Sequence, residues 1–263
     1  MNTVVMIPAR YGSSRMPGKP LVAVAGVPLL RRVWRLAVAA AGDGTQVYVA
    51  TDDGRIASLV ESFGGQVIMT PPECLTGTDR CLAAAALLPT RPDAVVNVQG
   101  DAVLTPPWVI RAVIDGLRAH PDAALITPAV ALIGSMKREF LEHKAKSPSS
   151  GTTVVCDSKG RALYFSKALL PFERTPSNDQ PMLRHIGLYG YRMAALEQLC
   201  ALPESPLEKA EQLEQLRALE NGLTIQVIPV DYQGRSHGSI DASADVAAVE
   251  AIIQREGELV AGI

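Results

Sequence analysis

Short apolar runs alternate along this chain with segments that have the spacing of amphipathic helices, and this alternation constrains the fold most strongly. The first run, residues 4–7, is continuous and ends at Pro8, as expected for a strand buried on both faces. Further strands are predicted at 46–50, 66–70 and 94–98, with helices between them at 29–40, 53–63 and 79–88. Strands that alternate with helices predict a parallel sheet covered by helices.

The pattern changes in the second half of the chain. After a helix at 108–120 and a strand at 124–130, the polar segment 134–150 separates the first part from β-like pieces at 152–156 and 162–166. Gly160 between these pieces favours an antiparallel hairpin, which an all-parallel sheet does not contain. The remaining predicted elements are an apolar stretch at 186–191, a helix at 207–219, a strand at 224–229 and a helix at 244–258.

Charge and composition exclude several classes of protein. Lys and Arg number 25 and Asp and Glu 27, a formal charge of 25 − 27 = −2, whereas nucleic-acid binding domains carry a basic excess. Hydrophobic residues make up 48% of the 263 residues, enough for one large domain or two unequal ones. We therefore expect a globular protein with no nucleic-acid partner.

The location of the protein is predicted from the same composition. No window reaches the roughly 18 uninterrupted apolar residues of a membrane span, and the N-terminus does not have the pattern of a secretion leader. The four cysteines form neither a C-x-x-C pair nor a short Cys/His cluster, so neither a disulfide framework nor a zinc site is indicated. We expect a cytoplasmic protein without a membrane partner.

A basic, glycine-containing loop directly follows the first predicted strand. It contains three cations, Arg10, Arg15 and Lys19, together with the small residues Gly12 and Ser13. Small residues let the backbone approach an anion, and the cations can bind phosphate oxygens. The spacing matches neither Walker A nor G-x-G-x-x-G. A surface loop with solvated cations is the alternative, but the position after the first strand of an α/β pattern favours a polyphosphate site.

Two carboxylates are candidates for a magnesium site. Asp101 follows the predicted strand 94–98, at the same sheet edge as the basic loop, and Gln99 beside it offers an amide to a base or sugar. Asp241 follows a short apolar pair near the C-terminus. Each carboxylate has an alternative role as the cap of a turn or helix. Together they indicate a Mg²⁺-bound triphosphate and a nucleotidyltransferase layout.

Two further turns are weaker candidates for nucleotide contacts. The turn at 76–80 opens a helix, so Thr78 and Arg80 are candidates to bind a nucleotide, or the turn is a cap with a solvated arginine. Thr51 and Asp52 follow a strand and either contact a ribose or belong to the cap of the next helix.

Taken in order, these segments resemble the 3-deoxy-manno-octulosonate cytidylyltransferase (CMP-Kdo synthetase) family. The resemblance includes Arg15-Met-Pro-Gly-Lys-Pro-Leu21 and Asn97-Val-Gln-Gly-Asp101, and it extends from about residue 4 to about residue 250. The matching blocks are 7–11, 15–21, 49–52, 77–80, 96–101, 162–166, 184–192, 205–208 and 213–217.

The resemblance implies transfer of CMP from CTP to a small anionic acceptor, a 3-deoxy-2-ulosonic acid, with release of pyrophosphate and a requirement for Mg²⁺. It also implies a homodimer and an α/β fold of the nucleotide-diphospho-sugar transferase type, with a Rossmann-like, mostly parallel mixed sheet and a smaller α+β lobe. The division that follows is a CTP-binding half at 1–133, an acceptor and dimerisation lobe at 134–235, and a closing segment at 236–263.

The resemblance also implies roles for individual residues. Lys19, Arg10 and Asp101 are the predicted catalytic residues, and Asp101 and Asp241 the predicted metal ligands. The predicted nucleotide-binding residues are Ala9, Arg10, Gly12, Ser13, Arg15, Lys19, Thr51, Asp52, Thr78, Arg80 and Gln99. The predicted acceptor-binding residues are Lys167, His185, Tyr189, Glu214 and Gln215.

Some of these acceptor-binding residues have structural alternatives. Without its surrounding block, the pattern favours His185 as a core histidine or a hydrogen-bonded strand residue. Glu214 and Gln215 could likewise be a solvated helix face.

Most departures from the family pattern fall in the acceptor half. Thr153 stands where lysine is usual, and Lys167 where arginine is usual, which replaces a forked carboxylate partner by a point charge. Ala102 replaces the usual glutamate, the block before His185 is shortened, and the segment 236–241 differs from the usual Gly-Thr-Gly-Val-Asp. The sequence therefore predicts cytidylyl transfer more firmly than it predicts Kdo as the acceptor.

Three other hypotheses remain open at this point. In the first hypothesis, the acceptor is a different small acid, such as another ulosonic acid or a phosphonate. In the second, the protein is an inactive nucleotide-binding regulator. An NAD-dependent oxidoreductase is disfavoured because no glycine fingerprint follows a strand.

Overall fold

The fold is described from a computed structural model that covers residues 1–12, 16–177 and 179–262. The strands are β1 (Thr3–Pro8), β2 (Ala23–Val24), β3 (Val27–Pro28), β4 (Gln46–Thr51), β5 (Gln66–Met69), β6 (Ala94–Val98), β7 (Leu125–Leu132), β8 (Thr152–Cys156), β9 (Ala162–Ser166), β10 (Met182–His185), β11 (Leu188–Arg192) and β12 (Ile225–Val230). The helices are α1 (Leu29–Ala41), α2 (Gly54–Ser62), α3 (Gly77–Ala86), α4 (Pro107–Ala119), α5 (Gly134–Lys146), α6 (Met193–Ala201), α7 (Pro206–Glu211), α8 (Gln215–Glu220) and α9 (Ser243–Glu256).

The described strands other than β2 and β3 form one mixed sheet in the order β5-β4-β1-β6-β11-β7-β10-β8-β9, and β12 runs parallel to β7. Strands β5, β4, β1 and β6 are parallel, whereas β11 is antiparallel to both β6 and β7. The strands β11 and β10 pair with successive stretches of β7. The predicted α/β fold with a mostly parallel mixed sheet is confirmed, and so is the β8–β9 hairpin.

Hydrophobic cores lie on both faces of the sheet because successive strand residues point to opposite sides. Val5 and Ile7 of β1 belong to the core that α1, α2 and α4 cover, and Val4 and Met6 belong to the core that α3 and α6 cover. This arrangement explains the continuous apolar run of the first strand. It also fixes the carboxyl ends of β1, β4 and β6 at one edge.

Several elements differ from the prediction, among them α6 and β10, which were not predicted, and the following two. The helix predicted at 207–219 is two short helices, α7 and α8, because Gln212 adopts a left-handed conformation with φ 54° between them. The polar segment 134–150 contains helix α5. Its Lys137 is buried, and Lys137 Nζ bonds to the Glu173 carboxylate and donates to the carbonyls of Ser177 and Gln180. A charged residue with local acceptors can thus be buried, which its polarity alone does not indicate.

Among the described residues, no helix is both long and apolar enough to cross a lipid bilayer.

Candidate active site

The candidate site is built where the ends of β1 and β6 meet the start of α3. A Cβ atom on Gly100 would lie 2.9 Å from the Pro8 carbonyl oxygen, and one on Gly77 would lie 3.1 Å from Pro8 Cγ. Any larger residue at these positions would push the two strand ends and the helix apart. Gln99 also reaches this junction, since its Oε1 lies 3.5 Å from the Cβ position of Gly77.

The basic loop returns on itself at Gly18, which has φ 72° and donates its N–H to the Tyr11 carbonyl over 2.8 Å. The Arg55 guanidinium lies 3.4 Å from the centre of the Tyr11 ring and supports this turn. A short 3-10 helix, Lys19–Leu21, then directs the Lys19 side chain to the sheet edge. The predicted phosphate contacts Ser13 and Arg15 lie outside the described residues.

Lys19 connects the loop to the two segments that carry the candidate metal ligands. Its Nζ lies 2.6 Å from Asp101 Oδ2 and donates to the Ile240 carbonyl over 3.0 Å. The Ile240 N–H in turn donates to the Asp101 carbonyl over 3.4 Å. The side chains of Lys19 and Asp101 are 16% and 25% exposed, so both remain accessible to a substrate.

The chemistry of Asp101 and Asp241 suits a magnesium ion. Both offer hard carboxylate oxygens, and Mg²⁺ is commonly held by one or two carboxylates together with substrate phosphates. In the described ranges, no cluster of three or more His, Cys, Asp or Glu side chains is placed to hold a metal ion. The backbone N–H groups of Asp241 and Ala242 both donate to Asp245, which anchors this segment at the start of α9.

The other predicted nucleotide residues occupy two different settings. Arg10 is exposed and its Nη1 donates to the Leu75 carbonyl over 3.4 Å, while Gly12 is exposed nearby in the chain. Arg80, in contrast, is only 2% exposed and donates to Thr70 over 2.6 Å and to Asp52 over 3.0 Å. The alternative of a solvated Arg80 is therefore wrong.

The remaining residues near this sheet edge form main-chain hydrogen bonds and helix caps. Ala9 is buried and its N–H donates to Ala50 over 2.9 Å. Thr51 is buried and accepts from the Asp53 N–H, and Asp53 caps α2. Thr76 and Asp79 form a capping box at the start of α3, so this turn does cap a helix.

The predicted acceptor residues His185, Tyr189 and Gln215 form one cluster. His185 Nε2 lies 2.8 Å from Thr127 Oγ1, and its ring centre lies 5.5 Å from that of Tyr189. The Tyr189 hydroxyl donates to Gln215 Oε1 over 3.0 Å, while the buried Gln215 Nε2 has no partner among the described residues. Because an unpaired buried amide is costly, this N–H₂ group is a candidate to bind a ligand.

The cluster is electrically neutral apart from one carboxyl. Burial lowers the pKa of His185 to about 3, so its ring is uncharged at neutral pH. Burial also raises the pKa of the Tyr189 hydroxyl and of the Glu214 carboxyl, which lies beside Thr78. His185 and Tyr189 are therefore uncharged at neutral pH and can orient hydroxyl groups by hydrogen bonds.

Asn97 joins this cluster to the nucleotide edge and was missed in the sequence. It lies opposite Tyr189 in the β6–β11 register, and its Oδ1 accepts from Gln99 Nε2 over 3.2 Å. Asn97 is fully buried and its Nδ2 has no partner among the described residues. An asparagine inside an otherwise apolar strand was the available signal.

Among the described residues, no hydrogen bond or ion pair joins Lys167 to that cluster. Its backbone N–H donates to Glu211 over 2.9 Å, and its side chain lines a cavity of about 470 Å³ together with Lys144 and Leu141. Thr153, at the position where lysine is usual, donates to the Ala168 carbonyl over 2.7 Å and accepts from the Leu170 N–H. Thr153 thus fixes the segment that follows Lys167.

The neutral His185 predicts a specific loss of stability in acid. Its folded pKa of about 3 lies below the ordinary 6.5, so the unfolded chain takes up a proton that the folded chain excludes as the pH falls below 6.5. His185→Gln can retain the Thr127 contact but cannot titrate. When the pH falls from 7 to 5, we expect the free energy of unfolding of this variant to decrease by about 2 kcal/mol less than that of the parent. Urea unfolding at both pH values measures this difference.

The exposed His143 provides the matched control, because His143→Gln removes an imidazole from the surface without changing a buried site. Equal losses in the parent and in His185→Gln would contradict the assignment of a neutral, buried His185.

A mixed sheet whose carboxyl edge combines a basic loop with carboxylates is the arrangement of a nucleotidyltransferase. The sequence model of the cytidylyltransferase family matches residues 4–225, and the chain belongs to this family. It is 51% identical over 260 residues to 3-deoxy-manno-octulosonate cytidylyltransferase of Maricaulis maris (strain MCS10), covering 99% of this chain and 100% of the relative.

Two further comparisons bear on the nucleotide and on the acceptor. The solved structure of CMP:2-keto-3-deoxy-manno-octonic acid synthetase complexed with CTP superposes with a TM-score of 0.84 at 34% identity, covering 97% of this chain and 100% of that one. The 8-amino-3,8-dideoxy-manno-octulosonate cytidylyltransferase of Shewanella woodyi (strain ATCC 51908 / MS32) is 42% identical over 229 residues, which cover 86% of this chain and 89% of the relative. The resemblance inferred from the sequence is confirmed.

Proposed function

We propose that this protein transfers CMP from CTP to the anomeric 2-hydroxyl of 3-deoxy-manno-octulosonate (Kdo), or of a closely related 3-deoxy-2-ulosonic acid, and releases pyrophosphate. One observation carries the proposal. Lys19 bridges Asp101 and Ile240 at the sheet edge, and Gln99, Asn97 and Tyr189 join that edge to the neutral acceptor cluster. The site thus pairs a charged half for a triphosphate with a hydrogen-bonding half for a polyhydroxy acid.

The charged half would stabilise the triphosphate during attack on the α-phosphorus. In this step the acceptor hydroxyl releases its proton to solvent and its oxygen forms a bond to the α-phosphorus, while the bond from that phosphorus to the pyrophosphate oxygen breaks and pyrophosphate leaves. Lys19 and Arg10 would neutralise phosphate charge, with Ser13 and Arg15 as further predicted contacts. Mg²⁺ held by Asp101 and Asp241 would add charge neutralisation and align the phosphates.

The buried Arg80 and Asp52 would shape the nucleotide edge rather than reach the phosphates. Their ion pair and the Arg80 bond to Thr70 hold the end of β4 against α3. Gln99, whose Nε2 already donates to Asn97, has its Oε1 available to accept from a hydroxyl or amino group.

The hydrogen-bonding half would orient the acceptor hydroxyl. Tyr189, Gln215 and Glu214 offer donors and acceptors in a buried setting, where correct positioning contributes strongly to rate. His185 would act as a neutral hydrogen-bonding group, because burial lowers its pKa to about 3 and leaves the ring uncharged at neutral pH. The family resemblance further implies that Lys167 would supply a cation for the acceptor carboxylate.

A panel of acceptors tests the proposal. Release of pyrophosphate would be measured with CTP, Mg²⁺ and, in separate reactions, Kdo, 8-amino-3,8-dideoxy-manno-octulosonate, a second ulosonic acid and a small phosphonate. We expect the highest kcat/KM with one of the two octulosonates. CTP without acceptor and UTP with each acceptor are the controls.

The outcomes of the panel separate the alternatives. A phosphonate as the best acceptor would replace Kdo by a different small acid. Tight binding of CTP without release of pyrophosphate from any acid would instead favour the inactive regulator.

The remaining parts of the proposal rest on the family resemblance. They are the requirement for Mg²⁺, a homodimer that forms through the lobe 134–235, and a cytoplasmic location.

A further inference from the structure

Arg184 has surroundings that are unusual for a largely buried arginine. It lies in β10 opposite Thr153 and Val130, and its guanidinium carbon lies 5.3 Å from the centre of the Phe140 ring. Within the described ranges no carboxylate lies within ion-pair distance of it. A buried cation without an acid partner is costly, so a specific role for its hydrogen bonds is expected.

Among the described residues, the Arg184 side chain forms a hydrogen bond with His237. Arg184 Nη2 lies 2.9 Å from His237 Nδ1. Because a guanidinium only donates, His237 Nδ1 is the acceptor and the ring proton is on Nε2. Burial, and next the nearby Arg184 charge, lower the pKa of His237 to about 3, so the ring keeps this acceptor at neutral pH.

His237 begins the short segment that ends at the candidate metal ligand Asp241. The His237 ring centre lies 5.6 Å from that of Tyr232, and a Cβ on Gly238 would lie 3.1 Å from Leu104 Cδ1. Three residues after His237, Ile240 accepts from Lys19 and donates to the Asp101 carbonyl. The segment is therefore held at its start by Arg184 and at its end by the catalytic edge.

Arg184 also adjoins the acceptor cluster through its own strand. Its neighbour His185 projects from the opposite face of β10, where it contacts Thr127, Phe165 and Tyr189. One strand thus carries a residue of the acceptor cluster on one face and the anchor of the metal-ligand segment on the other.

We propose that Arg184 and His237 are positioning residues: their hydrogen bond holds the segment 237–241 so that Ile240 meets Lys19 and Asp241 stands beside Asp101 for a nucleotide-bound Mg²⁺. This inference rests on the proposed function, since it takes Asp101 and Asp241 as the metal ligands. It assigns a role to His237, which lies in a segment that departs from the family pattern.

Binding of CTP to the full-length protein, measured by calorimetry with saturating Mg²⁺ and again with EDTA, tests this role without relying on turnover. Residues that orient metal ligands typically contribute about 10-fold or more to metal affinity. We expect His237→Phe, which keeps a ring against Tyr232 but removes the acceptor, to weaken CTP binding about 10-fold with Mg²⁺ and less than 2-fold with EDTA. His237→Asn, whose Oδ1 can replace Nδ1 as the acceptor, should remain within about 2-fold of the parent.

A double-mutant cycle isolates the hydrogen bond. Arg184→Met should weaken Mg²⁺-dependent binding as His237→Phe does, and the double variant should be no weaker than either single variant. The exposed His143 is the matched control, and His143→Phe should bind as the parent. Thermal unfolding of each variant measures stability separately, and the His237 pair still decides the question if Arg184→Met does not fold.

The results that overturn the inference are specific. They are parental binding by His237→Phe, additive effects in the double variant, or equal losses with Mg²⁺ and EDTA. A parent protein that does not bind CTP with Mg²⁺ would instead contradict the proposed function.

Discussion

Replacing Lys19 by methionine is expected to lower kcat/KM for CTP by about 10²- to 10³-fold, the usual effect of removing one preorganised donor from a developing charge. The fold holds Lys19 Nζ 2.6 Å from Asp101 Oδ2, and the same nitrogen donates to the Ile240 carbonyl. Its loss would remove a phosphate partner and release the segment that carries Asp241. Steady-state release of pyrophosphate measures the effect.

A comparison with an exposed lysine separates this local effect from a change in overall charge. Lys159 lies in the turn between β8 and β9, and Lys159→Met should retain parental activity. Urea unfolding of Lys19→Met measures any loss of stability separately, because the ion pair that it loses is only 16% and 25% exposed. Parental kcat/KM in Lys19→Met would remove the basic loop from the mechanism.

Replacing Asp101 by asparagine is expected to lower kcat by about 10³-fold, because a catalytic metal ion contributes several kcal/mol to stabilisation of the transition state. Asparagine has nearly the same shape but lacks the negative charge that the proposed Mg²⁺ site and Lys19 require. The Mg²⁺ concentration for half-maximal activity should rise in the same variant. Initial rates over a range of Mg²⁺ concentrations give both quantities.

Asp115 provides the matched control because it is an exposed aspartate paired with Arg111 and Arg118 on α4. Asp115→Asn should match the parent in kcat and in Mg²⁺ dependence. If Asp101→Asn kept parental values of both, Asp101 could not be a ligand of the catalytic metal.

The order of strands and helices in the first half was predictable from the sequence. The spacing of apolar residues within each of those elements predicts its type, and the continuous run from Val4 to Ile7 predicts a strand buried on both faces. The neighbourhood of Lys19 and Asp101 followed, because the carboxyl ends of parallel strands lie at one edge. Their ion pair of 2.6 Å agrees with that expectation.

Other features of the site depend on contacts between residues far apart in the chain. Arg80 was predicted to bind the nucleotide or to be solvated, yet it is buried against Thr70 and Asp52. Its environment is set by the packing of α3 against the ends of β4 and β5, which no local pattern records. The left-handed Gln212 that divides the predicted helix 207–219 is likewise not signalled by glycine or proline.

By itself, the sequence determined the class of fold, the edge at which the candidate site lies, and the pairing of the basic loop with a carboxylate. Those properties follow from side-chain periodicity and from the shared direction of parallel strands. Only the tertiary structure decided which polar groups meet: Asn97 between Gln99 and Tyr189, and Arg184 against His237. The physical reason is that a hydrogen bond requires its two atoms to lie within about 3 Å of each other, and sheet register and loop packing set that distance for residues distant in sequence.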